Sequence, residues 1–420
     1  MMISTREGRE TTIEQAILNG LASDGGLYVP KQFPCYDQDT LRQCNHLAEF
    51  AYHLLHPYFI ETSISLTLAD CQQIFNFSMP TVKLPSGRLV LELFHGPTLS
   101  FKDFGARFFA HCLEQLAIKR PVKVIVATSG DTGSAVAAAL YHKNNVTGYI
   151  LFPEGKISAR QQQQITCWLD NIHAIAVKGN FDDCQKMVKG MMASGAERIQ
   201  LTTANSINIA RLLPQQLFYA YTSTQLHKQY HAPIDFVVPS GNLGNVVACY
   251  WAKQTGFPVG DIYIANNAND VLSKYLNTGE YHPQPTKMTL ANAMDVGNPS
   301  NLERLVHLLG DFTTFKEAVN AQSVSDPQIE QAIKQAYHDE GYILCPHTAT
   351  AYYRSLSLET KQPPVIVATA HPAKFNAIVE PLVNVPIETP SSLQAMLEKP
   401  ATYQTIQPDM ESFRQIVELI

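Results

Sequence analysis

Lys102 stands between two aromatic residues in Phe94-His-Gly-Pro-Thr-Leu-Ser-Phe-Lys-Asp-Phe-Gly105, where Phe101, Phe104, Phe108, Cys112 and Leu116 form an apolar stripe. That spacing predicts a helix starting near Lys102. Most lysines are solvated, but an amine held in an apolar setting has a lowered pKa and can act as a nucleophile. Ser240-Gly241-Asn242-Leu243-Gly244-Asn245 lies between an apolar run and a helical stretch. Its two glycines and two asparagines permit left-handed backbone, which aims N–H groups at one point, and the following helix adds its positive end. The segment reads either as an anion cradle suited to a phosphate or as a tight, asparagine-capped turn. It is neither G-x-G-x-x-G nor a Walker loop; Gly155-Lys156 has Ile150 where that loop requires glycine. Ser129-Gly130-Asp131-Thr132-Gly133 repeats the logic, either to receive a carboxylate or to cap a helix. An amine able to form a Schiff base beside a phosphate cup is what pyridoxal phosphate requires.

The elements around these residues follow a strand–helix grammar from about residue 85. Strands are expected at Val122–Ala127, Gly148–Phe152, Ile172–Val177, Asp235–Val238, Asp261–Ala265 and Val365–Ala368. Helices are expected at Ser134–Tyr141, near Gln161–Leu169, from about Phe181, and from Asn245 through Trp251. Strands apolar on both faces and alternating with helices predict parallel sheets covered by helices, with ligands at the carboxyl ends of the strands. The first eighty residues read as mainly helical, with a short Leu27–Val29 strand ended by Pro30. The expected division is a helical segment over 1–84, a smaller α/β domain over 85–225 and a larger α/β domain over 226–420. His53 and His56 lie one helical turn apart. No carboxylate or cysteine is read at ligand spacing, so they are expected to be partly buried helix residues, and no metal site is expected.

The chain has 420 residues, 45% hydrophobic and 16% charged, with a net charge of −6. That is a globular composition, long enough for two or three domains, without the basic face of a nucleic-acid binder. No apolar run approaches the roughly 20 residues of a membrane helix. The first residues lack the apolar core of a secretory signal. Eight scattered cysteines without a C-x-x-C pair read as reduced thiols and a cytoplasmic address.

His95–Gly105, Ala127–Gly133, Ala204-Asn-Ser-Ile-Asn-Ile-Ala-Arg211, Pro239–Asn245 and Thr369-Ala-His-Pro-Ala-Lys-Phe375 together resemble the threonine synthase family, as does Asp24-Gly-Gly-Leu-Tyr-Val-Pro30. The resemblance covers nearly the whole chain. It implies the tryptophan-synthase-β, or fold type II, class of pyridoxal-phosphate enzymes. It also implies conversion of O-phospho-L-homoserine and water to L-threonine and phosphate through aldimines of the cofactor. Carried over by position, Lys102 would hold the cofactor. Gly241, Asn242, Leu243, Gly244 and Asn245 would cradle its phosphate, and Thr369 would face its ring nitrogen. Ser129, Gly130 and Thr132, with Asp131, would receive the substrate carboxylate. Asp131 stands where relatives in this fold often have asparagine, facing the cofactor's 3′-oxygen, and its partner is not evident from sequence. Leu243 replaces a common phenylalanine. The substrate phosphate needs a second anion site, expected from Lys156, Ser158, Asn205, Ser206, Asn208 and Arg211, with Asn208 and Arg211 on one helical face. The partner is a small molecule, and the chain is expected to be a monomer or weak homodimer. The rival readings are a related dehydratase or phospholyase and a non-catalytic metabolite-binding relative. Lys102 argues against the latter, and the absent G-x-G-x-x-G argues against a nicotinamide dehydrogenase.

Overall fold

The computed structural model describes residues 1–193 and 200–419. In chain order the strands are β1 (Met2–Ser4), β2 (Glu10–Thr11), β3 (Tyr28–Pro30), β4 (Thr81–Lys83), β5 (Leu89–Glu92), β6 (Val122–Ala127), β7 (Val146–Pro153), β8 (Ile172–Val177), β9 (Gln200–Thr203), β10 (Ile234–Pro239), β11 (Val259–Asn266), β12 (Asn320–Ser323), β13 (Val365–Ala368) and β14 (Gln404–Ile406). They form three sheets. One has the order β12-β11-β10-β13-β5-β4, the second β14-β8-β7-β6-β9, and the third is a small antiparallel sheet, β2-β1-β3. All pairings in the two larger sheets are parallel except β4 with β5. The central strands are buried on both faces, as parallel sheets covered by helices require.

The expected strands Val122–Ala127, Ile172–Val177 and Val365–Ala368 are observed at those limits, and the other three extend one or two residues further at each end. The helix after the first glycine-containing loop starts at Asp131 rather than Ser134, so Asp131 and Thr132 lie in its first turn. The N-terminal segment holds the expected helices, but four short strands rather than one. Two- and three-residue strands are too brief to show a period of two.

The sheets do not follow the expected continuous boundaries. β4 and β5 precede Lys102 yet pair into the sheet of β10–β13. β14 lies near the chain end yet completes the sheet of β6–β9. Both join at a sheet edge through parallel or hairpin pairing, and register of that kind carries no local sequence signal. The chain therefore crosses between the two sheets three times, after β5, after β9 and before β14. The carboxyl ends of β6, β9, β10 and β13 meet where it crosses.

His53 and His56 are partly buried helix residues as expected, but a carboxylate and a cysteine do lie beside His53. Glu49 lies one turn before it on helix Leu47–Leu55, and Cys44, which ends helix Gln38–Gln43, comes beside both. The three ligand atoms lie within 4.8 Å of one another. The spacing of Glu49 and His53 is local, but the approach of Cys44 depends on a turn between two helices.

Candidate active site

Helix Lys102–Leu116 begins at the lysine and is anchored through its aromatic residues. The fully buried Phe104 ring meets Phe218 at 4.8 Å and Phe77 at 4.7 Å, both edge-on. The helix start is tied to the exit of β13. The Phe101 N–H donates to the Thr369 carbonyl at 2.9 Å, and Ser100 bridges to Ala370. Lys102 and Thr369 thereby face one cleft, bounded also by Ser129, Asp131, Thr132, Arg211 and the turn at 241–245, with about 890 Å³ of space including its mouth. Burial pushes the Lys102 amine down to about 8. The positive charges of Lys374 and Arg211 add to this and Asp131 opposes it.

The turn at 241–245 uses its residues differently from the sequence reading. Neither of its glycines has a positive φ; the left-handed position is Leu243, at 61°. A leucine there is strained by about 1 kcal/mol or more. It is held by burial of its side chain, which is 1% exposed. Gly241 is required by proximity, since a Cβ would lie 2.6 Å from the Met294 carbonyl oxygen. At Gly244 a Cβ would meet Asn301 at an ordinary 3.4 Å. The first backbone bond of the following helix runs from Val247 N–H to the Leu243 carbonyl, leaving the earlier N–H groups of the turn for an anion. Asn242 is a strut. Its amide donates to Ser206 Oγ at 2.5 Å and its oxygen accepts from Ser300 N–H at 2.6 Å. Asn245 accepts from Tyr219 Oη, while its buried Nδ2 has no protein partner.

The missing partner of Asp131 is Lys374. This lysine is fully buried, and its Nζ lies 2.8 Å from Asp131 Oδ1 and 2.8 Å from the Thr98 carbonyl. Burial alone would raise the Asp131 carboxyl, but Lys374 and Lys102 hold it well below the usual carboxylate range. Gln161 donates to the same Oδ1 at 3.0 Å and accepts from Asn292 Nδ2 at 3.0 Å. The neighbouring His347 lines the cleft, and burial pushes it down to about 4, with Lys102 and Lys374 adding to the shift and Asp131 opposing it. Its Nε2 accepts from Ala293 N–H at 3.0 Å, which suits a neutral ring protonated at Nδ1.

Ser129 and Thr132 line the cleft, but Gly130 does not. The Gly130 N–H donates to Thr128 Oγ1 at 3.0 Å, so it is not available to a carboxylate. Its φ of 129° is a conformation that favours glycine, and a Cβ would collide with the Gln161 amide.

The six residues expected at a second anion site separate. Asn205, Ser206 and Arg211 line the cleft. Arg211 is 2% exposed, one of its terminal nitrogens donates to the Ala204 carbonyl, and its Nε has no protein partner. Burial pushes its guanidinium down to about 10, with Asp103 opposing. Asn205 clamps the end of β6, donating to the Ala127 carbonyl at 2.7 Å. Asn208 is the N-cap of helix Ile209–Leu212, fully buried and bonded to the Ile17 and Thr203 carbonyls, so it does not share a cleft-facing side with Arg211. Ser158 caps helix Ala159–Thr166 and donates to the Lys374 carbonyl. Lys156 is exposed and lines a neighbouring pocket that shares Ser129 and Phe181 with the cleft. Serine and asparagine are good cap residues as well as anion ligands, and sequence cannot separate the two uses.

Sequence reasoning passed over Lys374, Gln161, His347 and Arg304. Arg304 is fully buried and shapes the loop behind Ser206, donating to the Tyr28, Ser206 and Ile207 carbonyls. Lys374 carried a usable signal, a lysine followed by phenylalanine in an apolar segment. The other three carried none.

Residues 80–370 match the family of pyridoxal-phosphate-dependent enzymes, residues 1–74 match the threonine synthase N terminus and residues 348–417 its C-terminal part. The fold and cleft are thus those of a pyridoxal-phosphate-dependent enzyme. Threonine synthase from Serratia marcescens is 35% identical over 97% of this chain and 96% of its own length, and that from Escherichia coli K12 is 34% identical over 97% and 96%. The crystal structure of the Escherichia coli threonine synthase has a TM-score of 0.92 at 33% identity, covering 100% of this chain and 99% of that one. A threonine synthase from Brucella melitensis, solved with pyridoxal phosphate bound, has a TM-score of 0.89 at 30% identity, covering 100% and 98%. The chain belongs to the threonine synthase family. Its cleft fits the cofactor: a half-buried lysine of lowered pKa shares the cleft with a turn that has unengaged N–H groups, an unpartnered Asn245 amide nitrogen and a glycine where no side chain fits.

Proposed function

We propose that this enzyme converts O-phospho-L-homoserine and water to L-threonine and phosphate, with Lys102 as its central catalytic group. The observation that carries this reading is one cleft that holds a half-buried lysine, a turn suited to an anion, and a buried arginine whose Nε has no protein partner. Lys102 would hold pyridoxal phosphate covalently, the N–H groups of 241–245 would hold its phosphate, and Thr369 would face its ring nitrogen. When bound, the cofactor supplies an electron sink for charge left at the substrate α-carbon.

The remaining work falls to this chain's residues. Lys102 Nζ takes the α-proton, and its depression to about 8 keeps a neutral amine within reach near neutral pH. Ser129 and Thr132 receive the substrate carboxylate. An unpaired Asp131 beside them would repel that carboxylate; Lys374 cancels the charge. Arg211, with Ser206, receives the substrate phosphate, a charge-assisted contact. Asn205, Asn242 and Arg304 fix the loop that carries Ser206, while Asn208, Ser158 and Gly130 shape the walls without touching substrate. The eight free cysteines, seven of them buried, and the absence among the described residues of any helix able to cross a membrane support a cytoplasmic enzyme.

The test is Arg211→Ala. Loss of one charge-assisted phosphate contact costs about 1.5–3 kcal/mol, which is roughly a 10–100-fold fall in kcat/KM on phosphohomoserine. The cofactor absorbance should be unchanged, as should any side reaction on plain serine or threonine. Equal losses on phosphorylated and plain substrates would make Arg211 structural. Better turnover of plain threonine than of phosphohomoserine by the unaltered enzyme would make it a dehydratase.

A further inference from the structure

The helical N-terminal segment carries a cluster that the reaction does not use. Cys44 Sγ, a Glu49 carboxylate oxygen and a His53 ring nitrogen lie within 4.8 Å of one another. Glu49 and His53 are i and i+4 on helix Leu47–Leu55, so they share a face, and Cys44 ends the preceding helix and points into the same space. We propose that Cys44, Glu49 and His53 form a binding site for a borderline-soft divalent cation such as zinc, which staples the two N-terminal helices together.

The donor set suits that class of metal. Thiolate, carboxylate and imidazole are all zinc ligands, with bonds of about 2.0–2.3 Å, so tetrahedral donor atoms sit roughly 3.3–3.8 Å apart. Contraction from 4.8 Å is within reach of side-chain rotation at two half-buried positions. A thiolate and a carboxylate with a neutral imidazole balance a charge of +2, leaving the fourth position for water. On binding, the cation takes the place of the thiol proton, which leaves to solvent, and its +2 charge is matched by the resulting thiolate and the Glu49 carboxylate. The ligands have little else to release. Cys44 Sγ makes one weak bond, to the Thr40 carbonyl at 3.4 Å, and among the described residues no hydrogen bond engages the Glu49 or His53 side chain. Both helices pack on helix Gln216–Tyr230, through Gln225 to the Cys44 carbonyl and Phe50 against Tyr221. A staple here therefore stiffens the segment's seating on the enzyme.

The test is titration of the full-length holoenzyme with zinc against a chromogenic chelator. One zinc per chain is expected, and Cys44→Ser should weaken its affinity by about 100-fold or more. Cobalt(II) should add a thiolate charge-transfer band to the difference spectrum, absent in that variant. Because Cys44 is buried, Glu49→Gln and His53→Gln provide the second arm. Each should weaken zinc binding by about tenfold or more, since losing even a group that only supports a ligand costs about 10–100-fold, while the unfolding midpoint in zinc-free buffer stays unchanged. No uptake in competition with the chelator overturns the proposal. So does uptake equal in all three variants, which would place the metal elsewhere, or uptake lost with Cys35→Ser, the exposed cysteine.

Discussion

Lys102 owes its chemistry to its surroundings. A solvated lysine titrates near 10.4, whereas burial among Phe101, the β13 exit and two further cations brings this one to about 8. Attack on an aldehyde requires the neutral amine. Cofactor-stripped protein should therefore take up pyridoxal phosphate at a rate that rises with pH and levels off above about 8. A rate still rising beyond pH 9 would mean that the amine is not perturbed. Asp131 and Lys374 form the other decisive pair. Lys374→Met leaves a carboxylate buried without its cation, and such a loss costs about 3–5 kcal/mol. The variant should unfold at distinctly lower denaturant, and Asp131→Asn combined with it should recover much of that stability. A double variant no more stable than the single one would show that the pair is not coupled.

Among the elements, the turn between β10 and helix Gly244–Gln254 departs most from the usual division of labour between glycine and other residues. Leu243 takes the left-handed conformation while Gly241 supplies closeness to Met294. The neighbours of Gly241 are backbone atoms, which cannot swing aside. Gly241→Ala should therefore push the turn out of place and weaken pyridoxal-phosphate affinity by about tenfold or more, an energy near 1.4 kcal/mol. Gly244→Ala, which meets only ordinary contacts, should change affinity far less. Equilibrium binding followed by cofactor absorbance separates the two, and equal effects would refute the geometric account. The short turn Asn292–Met294 links several parts of the site. Its residues touch Gln161, His347 and Gly241 in succession, which joins the Asp131 side of the cleft to the side of the 241–245 turn.

At the scale of the molecule, the chain returns at its end to the sheet it left at β9. β14 covers the edge of β8, and helix Met410–Leu419 packs against helix Phe181–Ala193, burying Phe413 and Val417. An uncovered parallel edge beside an exposed apolar face invites aggregation. A chain truncated after residue 401 should accumulate as insoluble protein, although it keeps every residue of the cleft. Recovery of a soluble, cofactor-binding truncated protein would show the tail to be dispensable. The separation is measurable by sedimentation and cofactor absorbance.

The sequence by itself located most of the strands and the loops that line the cleft. Lys102 and the turn at 241–245 stood out because each sits at a boundary between an apolar run and a helix, where residue type is dictated by local backbone and solvent access, whereas Thr369 was marked only by the resemblance to the family. Strands such as Val365–Ala368 were legible because burial on both faces leaves an unbroken apolar run. The tertiary structure alone decided which polar residues reach the cleft. Asn208 and Arg211 stand three apart in one motif, yet one is a buried cap and the other lines the cleft with its Nε unpartnered, and only packing against Ile17 and Ala204 distinguishes them. It also decided the Lys374–Asp131 pair, separated by 243 residues, the placing of β5 and β14, and the approach of Cys44 to Glu49 and His53. Those are long-range pairings. Their energy depends on distance in space, and a local reading of residue types and periods holds no term for it.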